Sequence, residues 1–494
     1  MDGQILTLIV GLPIIGAAGA VVIPKEKTQW IYGLAIGVAS IGFLLSIFLF
    51  FSYDFRLGGY QFSVEYPWLN SLGITFHLGV DGITVPLILL NGIVFFAATL
   101  VSAKVDYRSK DFFFWLFLLV AGVYGVFVSL DLFFLFFFYE LAVVPMYLLI
   151  AVWGSSSDFG SFSRTKEYGA MKLVLYLVAG SVLVWIGIIA LWMDGGHTLS
   201  LLALEEVEFS RDFQIFVFPL VAIGFGILAG MWPFHTWSPD GHVAAPTAVS
   251  MLHAGVLMKL GAFGVLRVGM VLMPEGLAVW APVLMGLGTV NVIYGSISAL
   301  AQKDLKYVIG YSSVSHMGYV VMGLATIDVF GVTGAVLQMF SHGVMTALFF
   351  AMVGVIYSQS HVRDIAQLEG LAKRMGMTSA FFAVAGLASL GLPGLSGFVA
   401  ELMVFIGVFK TYLPLGFLAV IGAAITAVYI LRLLGKVFFG PLDPRWERLE
   451  DLSRREFFAA LLLIGFLVLW GLYPWPIVEL INSAVVPMIK GITG

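Results

Sequence analysis

The chain is 494 residues long, 60% hydrophobic and 11% charged, with a formal net charge of −4 and no cysteine. No soluble core needs that much apolar surface, and the missing cysteines exclude Cys-ligated iron–sulfur clusters, disulfides and thiol chemistry. No basic run is long enough to follow nucleic-acid phosphates, and neither a P-loop nor a strand-borne G-x-G-x-x-G marks a nucleotide site.

Apolar runs of about 20 residues recur along the whole length, the signature of an all-α polytopic membrane protein. About 14 helices are predicted, starting near Ile5, Trp30, Gly82, Phe112, Leu132, Tyr168, Phe213, Thr247, Leu277, Tyr307, Phe330, Thr378, Leu415 and Phe457. The N-terminus has no basic n-region and no small-residue cleavage site, so the first helix is expected to be retained. The longest polar gaps are residues 52–81, 194–212 and 441–456. None holds a soluble domain, and residues 1–494 read as one integral membrane domain.

Loops after odd-numbered helices carry most of the Lys and Arg: Lys25 and Lys27; Lys104, Arg108 and Lys110; Arg164 and Lys166; Lys303 and Lys306; Arg363, Lys373 and Arg374; then the basic residues between Arg432 and Arg455. The positive-inside rule makes those loops cytoplasmic and places both termini outside, on the periplasmic side of what is expected to be a bacterial inner (plasma) membrane.

Residues 216–267 begin as an ordinary apolar helix, break at Pro233 into FHTWSPDGHVAAPTA, and resume as VSMLHAGVLMKLGAFGVLR. A polar, proline-rich hairpin at membrane depth is tolerated only inside protein or beside a water-filled cavity. This hairpin has no Lys or Arg, so it is not expected to be an ordinary cytoplasmic loop. Lys259 lies about halfway along the resumed helix, where a lysine costs roughly 2.5–3.5 kcal/mol on insertion scales. A second break falls in FFAVAGLASLGLPGLSGFVAELMVFIGVF, at Pro393 with Gly391, Gly394 and Gly397, and Glu401 follows. The broken helices are seventh and twelfth in order. Their spacing points to two five-helix repeats, near residues 112–270 and 277–439, with flanking helices in 1–111 and 440–494. An odd helix number per repeat makes them inverted, with an ion site between.

In LDLFFLFFFYELAVVPMYLLIAVW nothing charged lies near Glu140 except Asp131, at the helix entrance. Glu140 is either a structural acid bonded to a neighbouring helix or a group that takes and releases protons. Lys172 either snorkels to the cytoplasmic interface or tunes Glu140 and joins a lateral relay. His253 lies six residues before Lys259, off its helical face. His316 and His342 follow on the tenth and eleventh helices. Each histidine alone could be a packing residue; with Lys259 and Glu401 they suit proton passage, since imidazole titrates nearest neutral pH. No regularly spaced histidine pairs suggest haem.

The segments FHLGVDGI, FFFYELAVVPMYLLIAVWG, YGAMKLVLY, PFHTWSPDGHVAAPTAVSMLHAGVLMK, QKDLKYVIGYSSVSHMGY, QMFSHGVMTALFF and GLPGLSGFVAE resemble subunit M of bacterial NADH–quinone oxidoreductase (respiratory complex I). The same subunit is the fourth of the mitochondrial series and carries the letter D in cyanobacteria and plastids. The resemblance covers most of the sequence and is weakest in the first two helices and after Gly440. The E-x-x-x-x-P-M-Y run around Glu140 favours subunit M over other antiporter-like subunits.

The resemblance implies 14 helices in two inverted repeats and proton translocation driven by electron transfer elsewhere. It implies no cofactor in this chain, with NADH, flavin, iron–sulfur clusters and quinone in partner subunits. The expected partners are neighbouring antiporter-like subunits, the lateral helix of the distal one, and lipid, with no nucleic acid. Glu140 matches the family's fifth-helix glutamate, Lys259 its eighth-helix lysine, His316 and His342 its central histidines, and Glu401 its twelfth-helix acid at the outward half-channel. One position departs. Where the family carries a seventh-helix lysine that pairs with the fifth-helix glutamate, this chain has Leu228, so Glu140 would need Lys172 or a histidine instead, or the input half-channel is altered. The expected route enters near Glu140, runs along Lys259, His316 and His342, and leaves by Glu401. The alternatives are a subunit of a cation/proton antiporter or membrane-bound hydrogenase, and a structural spacer with a silent channel.

Overall fold

The computed structural model describes residues 4–158 and 163–493. It is an antiparallel helical bundle. The chain runs through α1 (Gln4–Val22), α2 (Thr28–Ser52), strands β1 (Gln61–Leu69) and β2 (Ile74–Val80), then α3 (Thr84–Val101), α4 (Ser109–Val128) and α5 (Leu132–Trp153). A two-residue strand pair precedes α6 (Lys166–Asp194) and the short α7 (Leu201–Glu205). The seventh crossing is α8 (Arg211–Leu228) plus α9 (Trp237–Ala244). The eighth is α10 (Thr247–Leu252) and α11 (Met258–Gly264), joined by a π-helical turn at His253–Leu257 and followed by another at Val265–Met270. Then come α12 (Pro274–Ala301), α13 (Leu305–Ala325), α14 (Val329–Ser360), the broken pair α15 (Gly376–Ser389) and α16 (Ser396–Thr411), α17 (Leu413–Phe438), α18 (Arg454–Leu472) and α19 (Trp475–Thr493).

Among the described residues, thirteen helices are long and apolar enough to cross a membrane. That set omits α13, whose serines and His316 lower its hydropathy, and the interrupted α15–α16. It includes α19, which does not cross. Trp475 packs on Phe55, Asn482 accepts a 2.7 Å hydrogen bond from Thr333, and Met488 and Ile492 sit near Arg211 and Pro274. All of these partners lie at one face of the bundle, so α19 runs along that face. Its buried residues, Ile477, Leu480, Ile481, Ala484, Val485 and Ile489, form a single stripe, as in an interfacial helix. Gly82 permits the close approach: a Cβ there would sit 2.0 Å from the Leu480 carbonyl oxygen. Fourteen crossings remain, as expected, plus a surface helix absent from the sequence prediction.

That face, face A, also carries the β1–β2 hairpin, likewise unpredicted. Leu130 N–H donates to the His77 carbonyl (2.9 Å), and the Asp131 carboxylate caps α5 while accepting from Thr75 N–H (3.0 Å). The opposite face, face B, carries the Lys- and Arg-rich loops. The eighth and eleventh crossings, Thr247–Met270 and Val329–Ser360, are enclosed by protein along their central stretches, which is where the ionisable side chains lie.

A buried ionisable axis between two broken helices

The seventh-helix break exposes backbone groups that lipid could not satisfy. Asn291 on α12 satisfies them: its Oδ1 accepts from Trp232 N–H (2.5 Å), and its Nδ2 donates to the Gly230 (3.0 Å) and Val314 (3.3 Å) carbonyls. Trp237 Nε1 donates to the Ile227 carbonyl (2.9 Å), tying the start of α9 to the end of α8, while α9 packs on α6 and α13. The polar hairpin is thus partly helical, and it ends at face B. It needs no Lys or Arg of its own because neighbouring segments supply them. Asp240 pairs with Arg164 and, at 2.8 Å, with Lys172, and accepts from the Tyr307 hydroxyl (2.8 Å). Lys306 donates to the Ala245 carbonyl (2.7 Å) and Arg363 to the Val243 carbonyl (3.1 Å). Burial pushes the Asp304 carboxyl up, against the pull of Arg363 at 3.2 Å.

Lys259 is completely buried. Helical side chains lean toward the N-terminus, and its Nζ reaches back over the π turn to the Ala254 carbonyl and to His342 Nδ1 (2.7 Å). The objection that His253 is off the lysine's helical face loses force, because the ammonium group ends beside the residue following His253. The His342 ring lies 5.3 Å from the His316 ring. His316 Nδ1 is 3.3 Å from Glu401 Oε1 and 3.1 Å from Gln338 Nε2, and its Nε2 is 3.0 Å from Ser389 Oγ. With a proton on Nδ1 the ring donates to Glu401; without one it accepts from Gln338. Glu401 is buried at the twelfth-helix break, where a Cβ on Gly391 would meet its Oε2 at 2.8 Å. The structure therefore brings Lys259, His342, His316 and Glu401 into one run between the two breaks.

Other sequence candidates fall elsewhere. Lys172 does not pair with Glu140, contrary to one sequence-based expectation. It sits near the face-B end of α6, which packs on α9, so Asp240 is the acid within its reach. Glu140 faces Ser181 on α6, and among the described residues its Oε1 has no hydrogen-bond partner. Leu228 closes α8, fully buried at the seventh-helix break, of which Pro233 is part; Pro393 lies in the gap between α15 and α16. His253 belongs to a second cluster, with its ring 4.1 Å from His242 and 5.4 Å from Trp237.

Sequence reasoning passed over Asp240, His242 and Lys306. For Asp240 and His242 the available signal was their presence in a hairpin at membrane depth, where any ionisable side chain is a candidate; Lys306 reads as a loop cation, and only the fold brings it to the hairpin. Sequence reasoning also passed over Arg267, which pairs with Asp81 at 2.6 Å and donates to the Tyr60 hydroxyl (2.9 Å) beside a face-A cavity of about 940 Å³. Burial pushes the carboxyl of Glu205, in the same cavity wall, up.

Broken helices around an enclosed string of ionisable side chains define an ion-transporter type of membrane protein. The family described as NADH:quinone oxidoreductase/Mrp antiporter, TM, matches residues 129–426. The sequence is 37% identical over 480 residues to an NAD(P)H-quinone oxidoreductase chain 4 of Synechococcus, covering 95% of this chain and 90% of the relative. Among solved structures, a subunit of respiratory complex I from Thermus thermophilus superposes with a TM-score of 0.90 at 27% identity, covering 99% of this chain and all of that one. A subunit of the Mrp complex from Dietzia has the same fold, with a TM-score of 0.86 at 18% identity, covering 100% of this chain and 99% of that one. The chain belongs to the NADH:quinone oxidoreductase/Mrp antiporter family of membrane subunits.

Proposed function

We propose that this chain is the antiporter-like, proton-translocating membrane subunit of a complex I-type NAD(P)H–quinone oxidoreductase. The observation that carries the reading is the unbroken sequence Lys259, His342, His316, Glu401, buried and linked by contacts of hydrogen-bond or ring-stacking range. Two unit charges about 5 Å apart repel by roughly 3 kcal/mol at an effective dielectric of about 20. A charge arriving at one site therefore disfavours charge on the next, and protons advance in turn. Lys259 charges and discharges, His342 and His316 pass the proton between ring nitrogens, and Glu401 releases it at the second break.

The chain carries no redox group in this reading and is not itself the catalytic centre. Electrons move from NAD(P)H through flavin and iron–sulfur clusters to quinone in partner subunits. Its neighbours are other antiporter-like subunits and the lateral helix of the distal one, within lipid. Face B, with its Lys and Arg, faces the cytoplasm of a bacterial inner membrane, and the termini lie outside. The seventh and twelfth breaks support two inverted repeats near residues 112–270 and 277–439. A spacer role is the second reading; it draws on Leu228 and on the unpaired Oε1 of Glu140.

The test is Lys259→Met in native membrane vesicles, with assembly of the complex verified. Proton uptake and quinone reduction are both expected to fall. If both stay at wild-type rates, the spacer reading replaces this one.

A further inference from the structure

The axis from Lys259 to Glu401 needs an input from face B. The resemblance would place it at Glu140, but Glu140 faces Ser181 and no described hydrogen bond or ion pair joins it to a cation. The family lysine that would link it inward is Leu228 here. We infer that the proton input to Lys259 in this chain is the buried pair His242–His253, fed from the charged rim of the hairpin. This rests on the pumping role proposed above.

His242 and His253 are both completely buried. Their rings are in van der Waals contact, with centroids 4.1 Å apart. Among the described residues, both nitrogens of His253 and the Nδ1 of His242 have no hydrogen-bond partner, whereas His242 Nε2 is 3.0 Å from Ser238 Oγ. Buried polar atoms are nearly always satisfied, by protein or by water. Three unpartnered ring nitrogens in one spot therefore mark a place that water or a migrating proton can use. A packing role would want apolar rings there. Room has been left for the pair: the residue beside His242 is Gly241, and a Cβ at that position would come 2.9 Å from His253 Cε1.

Charged groups lie close to both ends of the pair. On the inner side, Lys259 Nζ is bonded to the carbonyl of Ala254, the residue after His253. On the outer side, the carbonyls of His242, Val243 and Ala245 accept hydrogen bonds from Ser250, Arg363 and Lys306 near face B. Ser250 Oγ donates to the His242 carbonyl (2.9 Å) and lies 3.5 Å from Lys306 Nζ. Arg363 spans from the Val243 carbonyl to a face-B cavity of about 580 Å³ that Asp304 and Ser157 also line. A proton from water in that cavity binds one nitrogen of His242. Imidazole accepts on one nitrogen while releasing from the other, so it passes to His253 and then to the neutral amine of Lys259. No bond other than N–H and O–H bonds changes.

The experiment compares His253→Leu, His242→Leu, Glu140→Gln and Lys259→Met in assembled complexes in native membrane vesicles. The readouts are protons taken up per electron and the solvent deuterium isotope effect on quinone reduction. Expected: the ratio in His253→Leu and His242→Leu drops to that of Lys259→Met and further than in Glu140→Gln. In His253→Gln, which keeps a polar side chain but cannot relay a proton at neutral pH, the isotope effect rises; this variant also gives the ratio if the leucine variants do not assemble. A purely structural histidine would leave the isotope effect unmoved. Wild-type pumping in the His253 variants with impaired Lys259→Met overturns the input and leaves the pump. A deeper loss in Glu140→Gln than in the His253 variants also overturns it. Wild-type pumping in Lys259→Met overturns the pump itself.

Discussion

At the scale of single residues, the face-B end of the hairpin turns on Asp240. Its carboxylate is 3% exposed, while its partners Arg164 and Lys172 are 35% and 17% exposed. Removing one partner of a buried pair leaves uncompensated charge, at a cost that is lower where the stranded cations reach water. Asp240→Asn is therefore expected to destabilise the subunit by about 2 kcal/mol, read as a lower melting temperature of the purified complex; an unchanged value would show that Arg164 and Lys172 find other acceptors. This residue also shows where sequence reading stops. Lys172 was visible as a membrane-depth cation, and Glu140 and Asp240 are both acids outside its own helix. Which one it meets depends on the rotation of α6 and on a half-helix that carries the seventh crossing on to face B, and neither leaves a mark in local composition.

At the scale of elements, the breaks matter most. Proline and glycine runs announce both, because proline cannot donate and clashes with the preceding turn. How a break is satisfied was not legible. The seventh is tied by one amide side chain, Asn291, from a helix whose surrounding sequence is wholly ordinary. Leaving buried backbone groups unpaired costs about 1–3 kcal/mol each. Asn291→Ala should loosen residues 229–236, raising amide hydrogen exchange there while leaving α1 and α2 unchanged; equal exchange would mean that other contacts hold the break. The β1–β2 hairpin and α19 were missed for a related reason. Both lie at the interface between bundle and solvent, where their mixed polar and apolar residues read as loop.

At the scale of the whole molecule, loop charge supports the proposed cytoplasmic placement of face B. The absence of native cysteine makes a clean test. Lys25→Cys, in the exposed α1–α2 loop, and Glu206→Cys, exposed after α7 on face A, report opposite sides. A membrane-impermeant maleimide added to right-side-out vesicles is expected to label the second variant alone; labelling of the first alone would invert the assignment.

The sequence by itself determined the class, the fourteen crossings, the two interrupted helices and the identity of most ionisable side chains at membrane depth. Each follows from a local cost: apolar length against bilayer thickness, proline against the helical ladder, charge against hydrocarbon. The tertiary structure decided which of those side chains meet. It joined Lys259 to His342, His316 and Glu401, gave Lys172 to Asp240, set Glu140 against Ser181 and put His242 against His253. In a membrane bundle the lipid-facing and protein-facing sides of a helix are both apolar, so the pattern that reveals a buried face in a soluble protein is muted. Partner choice is then fixed only when the helices pack.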